Sequence, residues 1–134
     1  MLQLAQFHVC SIANTLITKI MDQSPVFTQE ITELHADICS ALADHRRILI
    51  LYVLSERSLN VSDLAAQVGI SQPAASRHLK ILRERGLVRP VRQGASVEYS
   101  ITDHRLIDAL DLLRSVLRSR LAYRASLVEE ETPA

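Results

Sequence analysis

The side chains with the clearest chemical potential lie close together between positions 71 and 92. Arg77, Lys80, Arg83, Arg85, Arg89 and Arg92 stand there against Glu84 alone, in a 134-residue chain whose 15 basic and 15 acidic residues cancel over its whole length. A basic block inside a neutral chain is the electrostatic footprint of a face that meets phosphates. A solvated helix face would show the same charges, so charge by itself leaves both readings open. Spacing adds to it. On a helix, positions three and four apart are neighbours, which sets Gln72, Ser76, Arg77 and Lys80 on one face, opposite Ala75, Leu79 and Leu82. An amide, a hydroxyl, a guanidinium and an ammonium side by side can donate to base edges and to phosphate oxygens.

The other reactive groups are two cysteines and five histidines. Cys10 and Cys39 could form a thiol or metal switch with His8 and His35, since His35 and Cys39 lie four apart on one helical face. Cys39 also borders an apolar stripe, and Cys10 lies in line with Phe7 and Ile17, so buried and inert thiols are the plainer reading. His78 stands at the margin of the basic face, where a phosphate contact and local packing are equally open. Arg46 and Arg47 can reach a phosphate or an acidic neighbour. No nucleophile–base pair, metal triad or phosphate loop emerges from the spacing, so neither an enzyme nor a resident metal is expected.

These groups must be positioned by a mainly helical body. Apolar residues make up 48% of the chain, with only three glycines and four prolines to interrupt them. Trp is absent and aromatics are few, which argues against a base-stacking platform for single strands. The apolar residues of 1–21 are broken by Gln3, Gln6, His8, Ser11 and Asn14, and the first basic residue is Lys19. Neither a membrane span nor a signal peptide is therefore expected, and the reading is cytoplasmic with reduced thiols.

The spacing predicts amphipathic helices over 2–21 and from a Thr28 cap to about 42, the second with the stripe Ile31, Leu34, Ile38 and Leu42. Asp44 can cap a third helix over 45–55, with Ile48, Leu49, Leu51, Tyr52 and Leu54 expected deep in the core. A short helix over 63–68, started by Asn60 or Ser62, ends at Gly69. Ser71 caps the next, Pro73 fits its first turn, and Gly86 ends it. Two extended runs follow, 87–91 and 96–101, with Gly94 in the turn between them. Pro90 marks its strand as an edge. Thr102 or Asp103 then caps a last helix carrying Leu106, Leu110, Leu113, Leu117 and Leu121.

Short helix, glycine turn, capped basic helix and β-hairpin make a winged helix-turn-helix, of order α-α-α-α-α-β-β-α. Such a basic helix can enter the major groove of duplex DNA with its N-terminal half at the base edges. Gln72, Ser76 and Arg77 are the expected base-edge contacts. Ser71 and Lys80, with Arg92 and Gln93 at the hairpin tip, are the expected backbone and wing contacts. The rival reading is a winged helix used only for protein interaction.

Residues 41–54 (ALADHRRILILYVL), 62–88 (SDLAAQVGISQPAASRHLKILRERGLV) and 91–101 (VRQGASVEYSI) resemble the ArsR/SmtB winged-helix repressors over about 41–110. The resemblance implies a homodimer on a palindromic double-stranded operator, released by an inducer that is often a metal ion or a thiol-reactive species. It also implies dimerisation through the first and last helices, here with Leu110, Leu113 and Leu117. The family's sensor residues do not carry over. Its Cys-Val-Cys-Asp-Leu motif is matched by Asn60-Val61-Ser62-Asp63-Leu64, and no His or Cys follows His104 on the last helix. The inducer is thus unassigned. The expected organisation is a dimerisation arm over 1–27, a winged domain with its C-terminal helix over 28–128, and a frayed acidic tail over 129–134.

Overall fold

The computed structural model describes residues 25–131. The helix expected over 2–21, and Cys10 within it, lie outside the described residues. Contacts divide the chain between Ala41 and Leu42.

In the first unit, helix α1 (Pro25–Glu33) runs on into a π-helical stretch, Leu34–Cys39, and a last turn, α2 (Ser40–Leu42). Thr28 is not the cap. The helix already includes Pro25, which the first turn tolerates because its missing N–H has no partner to lose, and the Thr28 carbonyl accepts the Thr32 hydroxyl at 2.8 Å. The π stretch widens the turn beyond the 3.6-residue period from which the stripe was read. Ile31 of α1 and Leu34 of the π stretch are exposed, as is the Cys39 thiol, which is therefore not a buried one.

The second unit holds the winged domain. Helix α3 (His45–Glu56) starts where the Asp44 carboxylate accepts the Arg46 N–H at 2.8 Å. Strand β1 (Leu59–Asn60) follows, then α4 (Val61–Val68), α5 (Gln72–Glu84), β2 (Val88–Gln93), β3 (Ser96–Ile101) and α6 (Arg105–Glu130). The core takes Ile50, Leu51 and Leu54 from α3, Leu64 from α4, and Ala75, Leu79 and Leu82 from α5. Val88, Ile101 and Leu110 close it from the sheet and α6.

Three core expectations on α3 are corrected. Leu49 is 48% exposed, and Ile48 and Tyr52 are only half-buried, whereas Ile50 is fully buried. His45, Ile48, Leu49 and Tyr52 recur at helical spacing and, with Arg114 of α6, line an open groove of about 430 Å³. The apolar run on α3 is broad enough to serve two faces, and only one of them meets the core.

The sheet has three antiparallel strands in the order β1-β3-β2, where two were expected. Two residues of β1 pair with Tyr99 and Glu98. The hairpin is also tighter than expected. Arg92 and Gln93 belong to β2, paired with Val97 and Ser96, so only Gly94 and Ala95 make the turn. Gly94 has φ +62°, while no described residue other than glycine has positive φ, which is the II′ geometry that matches strand twist. Pro90 lies on β2, an edge strand, with its one partner strand facing Tyr99.

Helix α6 is capped from Asp103, whose carboxylate accepts the Arg105 N–H at 2.9 Å and the Arg105 guanidinium at 2.6 Å. It continues through Glu130, so the helix reaches two residues into the tail expected from 129. Both residues have good helix propensity, and the Glu131 N–H still bonds the Leu127 carbonyl. Among the described residues no helix is long and apolar enough to cross a membrane.

Candidate nucleic-acid interface

The interface is built from local hydrogen bonding upward. Asn60 accepts the Asp63 N–H at 2.8 Å and donates to the Asp63 carboxylate at 2.9 Å, which fixes the start of α4. Gly69 ends that helix in the left-handed region at φ 76°, where a side chain would be strained. Two residues later the Ser71 hydroxyl oxygen accepts the Ala74 N–H at 3.2 Å and opens α5. The chain thus reverses between α4 and α5 over three residues, and each helix end is satisfied from within the motif.

Burial then sets the rotation of α5. With Ala75, Leu79 and Leu82 packed inside, Gln72, Ser76, Arg77 and Lys80 are all exposed on the far side. The structure brings these four together as the spacing required. Ser71 joins them at the helix start, although its oxygen already serves the cap. Lys80 lies 4.0 Å from Glu84, with both side chains well exposed, a pairing too weak to hold it away from another anion. Arg92 and Gln93 stand exposed at the tip end of β2.

The N-terminus of α3 adds charge that spacing alone did not assign. Arg47 turns to its acidic neighbour Asp44 at 3.9 Å and is 12% exposed. Asp44 is held below the usual carboxylate range by the Arg46 N–H first, despite some desolvation, and then by His78, Arg47 and Arg46. His78 is half-buried on the inner margin of α5, and burial lowers its proton affinity. Asp44 opposes that shift, whereas Arg47, Arg46 and Arg77 reinforce it. Burial thus favours the neutral imidazole, and Asp44, Arg47, Arg46 and Arg77 are the charges that bear on it.

The three leucines expected on a dimer face separate. Leu110 is 4% exposed and belongs to the protomer's own core, whereas Leu113 and Leu117 are 63% and 53% exposed. Leu112, Val116 and Leu121 extend the uncovered apolar surface along α6. At the groove end of that helix, the Tyr52 hydroxyl donates to Asp111 at 2.7 Å and the Arg114 guanidinium lies 5.2 Å from the Tyr52 ring centre. Of the two thiols, Cys39 lies on the first unit and Cys10 outside the described residues. The charges that bear on His78 were missed because Asp44, Arg46 and Arg47 come to bear on it only when α3 packs on α5.

Comparison with known proteins gives this architecture its place. Residues 44–89, the stretch from the α3 cap to the start of the wing, match the bacterial regulatory protein model of the arsR family. The chain is 34% identical over 96 residues to the nodulation protein NolR of Rhizobium meliloti, covering 72% of this chain and 79% of that protein. The chain belongs to the ArsR family. A transcriptional repressor, the SmtB homolog of Synechocystis, is 36% identical over 86 residues, covering 64% of this chain and 65% of that protein. The chain thus spans just under two thirds of that relative's length. Among solved structures, NolR from Sinorhizobium fredii superposes with a TM-score of 0.61 at 35% identity, over 69% of this chain and 92% of that one. A homodimeric winged helix-turn-helix DNA-binding domain from Mycobacterium bovis, a possible ArsR-family regulator, superposes at 0.65 with 28% identity, over 75% and 93%. The Synechocystis relative is thus a transcriptional repressor, and the Mycobacterium bovis domain a possible transcriptional regulator.

Proposed function

We propose that this chain is a sequence-specific, duplex-DNA-binding transcriptional repressor that acts as a homodimer on a palindromic operator in the cytoplasm. One observation carries the reading: the buried stripe of α5 turns Gln72, Ser76, Arg77 and Lys80 outward together, beside a β-hairpin. A helix so presented can lie in the major groove. The repressor role follows the SmtB homolog, and the dimer follows the Mycobacterium bovis domain. Gln72, Ser76 and Arg77 read base edges in this proposal, and Ser71, Lys80, Arg92 and Gln93 hold phosphates. An inducer releases the operator, either a thiol-reactive or a metal species, with Cys39 the exposed thiol within the described residues.

The test is selection from a random duplex pool. The wild type should enrich an inverted repeat, and the triple variant Gln72→Ala, Ser76→Ala, Arg77→Ala should bind duplex without enriching it. No enrichment by the wild type would favour a winged helix used only for protein interaction.

A further inference from the structure

We infer that Pro73 is a specificity-determining residue of the reading face, its ring meeting the C5-methyl group of a thymine in the major groove. The inference rests on the DNA-binding reading of α5. Its first basis is rotation. Leu82, nine residues after Pro73, lies about half a turn round the helix from it and is fully buried, and Ala75 and Leu79 are buried on the same side. Pro73 therefore stands on the middle of the outward face, and it is exposed there. Arg77 and Lys80, four and seven residues on, lie within about 40° of it and are exposed too. The ring thus sits one turn ahead of the arginine, in the first turn of the helix, where recognition helices meet base edges.

The second basis is what the start of α5 has left to offer. The Ser71 hydroxyl oxygen accepts the Ala74 N–H at 3.2 Å, and the Ser71 carbonyl accepts the Ala75 N–H at 2.9 Å. Pro73 has no N–H at all. Residues 73–75 therefore present no backbone donor to a phosphate or a base edge, and what Pro73 presents is an apolar ring. Of the four bases, thymine alone carries a matching apolar group in the major groove. Ile81 is exposed on the same helix, but it lies two turns further along, past the N-terminal half that reaches the bases. Gln72, Ser76 and Arg77 distinguish bases by hydrogen bonding, and Pro73 adds a test for the methyl group. One helical turn, about 5.4 Å, separates Pro73 from Arg77, so the thymine lies within about two base pairs of the base that Arg77 reads.

Proline also suits a first turn by conformation alone, and the experiment separates the two roles. Wild type, Pro73→Ser and Pro73→Val are titrated by fluorescence anisotropy with the selected operator. Each is also titrated with versions in which one thymine at a time is replaced by uracil, which removes only the methyl. The wild type should lose about fourfold in affinity when one particular thymine of a half-site is replaced. Pro73→Ser should bind the thymine and uracil operators alike at that position. Pro73→Val, which restores the N–H but keeps an apolar side chain, should keep the discrimination. A wild type indifferent to every replacement near the Arg77 base, or a penalty that survives in Pro73→Ser, would overturn the inference and leave the DNA-binding reading standing. Discrimination lost in Pro73→Val as well would also overturn it, by tracing the effect to the helix start. If the wild type selects no operator, both fall together.

Discussion

On the exposed face of α5, residues one turn apart are assigned different tasks, and substitution separates them. A bidentate arginine–guanine contact contributes about 1–3 kcal/mol of discrimination. Arg77→Ala should therefore relax preference at one base position in each half-site, measured by competition among single-base operator variants. Lys80→Ala should weaken all duplexes alike and lower the salt slope by about one, because a phosphate contact is blind to sequence. If Lys80→Ala instead shifts which operator is preferred, the two assignments must be exchanged. These side chains were legible from sequence because a single helix places them, and its period needs no tertiary information. The caps at Asp44, Asn60 and Ser71 were legible for the same reason, since each bonds a backbone group two or three residues away. The surroundings of His78 were not, because Asp44 and Arg46 reach it only when α3 packs on α5.

At the scale of elements, the reading face depends on what fastens α5 from behind. Leu79 is fully buried against the core. Leu79→Ala should cost roughly 2–5 kcal/mol in unfolding free energy, measured by urea denaturation. DNA affinity at low temperature should fall much less, since the polar face itself is untouched. The cap of α6 makes a different prediction, in pH. Asp103 is held down to about 2, first by its side-chain hydrogen bonds with Arg105 and then by the Arg105 backbone N–H. Its folded value lies below the unfolded one of 3.8, so its contribution is complete above about pH 4 and is lost as pH falls toward 2. Helicity followed by circular dichroism should show a loss across that window in the wild type. In Asp103→Asn that part of the acid transition should be absent, and its persistence would place the titrating group elsewhere. The sequence missed elements where pattern is short or irregular. Two residues of β1 cannot display an alternation, and the π stretch at Leu34–Cys39 follows neither period. The hairpin register was hidden because Arg92 and Gln93 look like loop residues until Gly94 is seen to close a two-residue turn.

For the whole molecule, the uncovered leucines of α6 and the half-site geometry of a winged helix point to the same two-fold assembly. The 26-residue helix α6 leaves Leu113 and Leu117 exposed, an apolar surface of the kind a second copy covers. Leu117→Glu would bury a charge without a partner across that axis, at a cost of several kcal/mol, roughly 3–5 by analogy with broken buried pairs. The variant should be monomeric and should lose operator binding far more than binding to unrelated duplex. Leu110→Glu should instead unfold the protomer, because that leucine is already interior. Sequence alone placed both leucines on one stripe and could not say that Leu110 is interior while Leu117 is exposed. The most direct measurement is sedimentation of the wild type on its selected operator and on a duplex holding one half-site. A dimeric repressor should place two protomers on the full inverted repeat, with half-site centres about one helical turn apart, and bind the half-site much more weakly. A single protomer gripping the full repeat as tightly would contradict it.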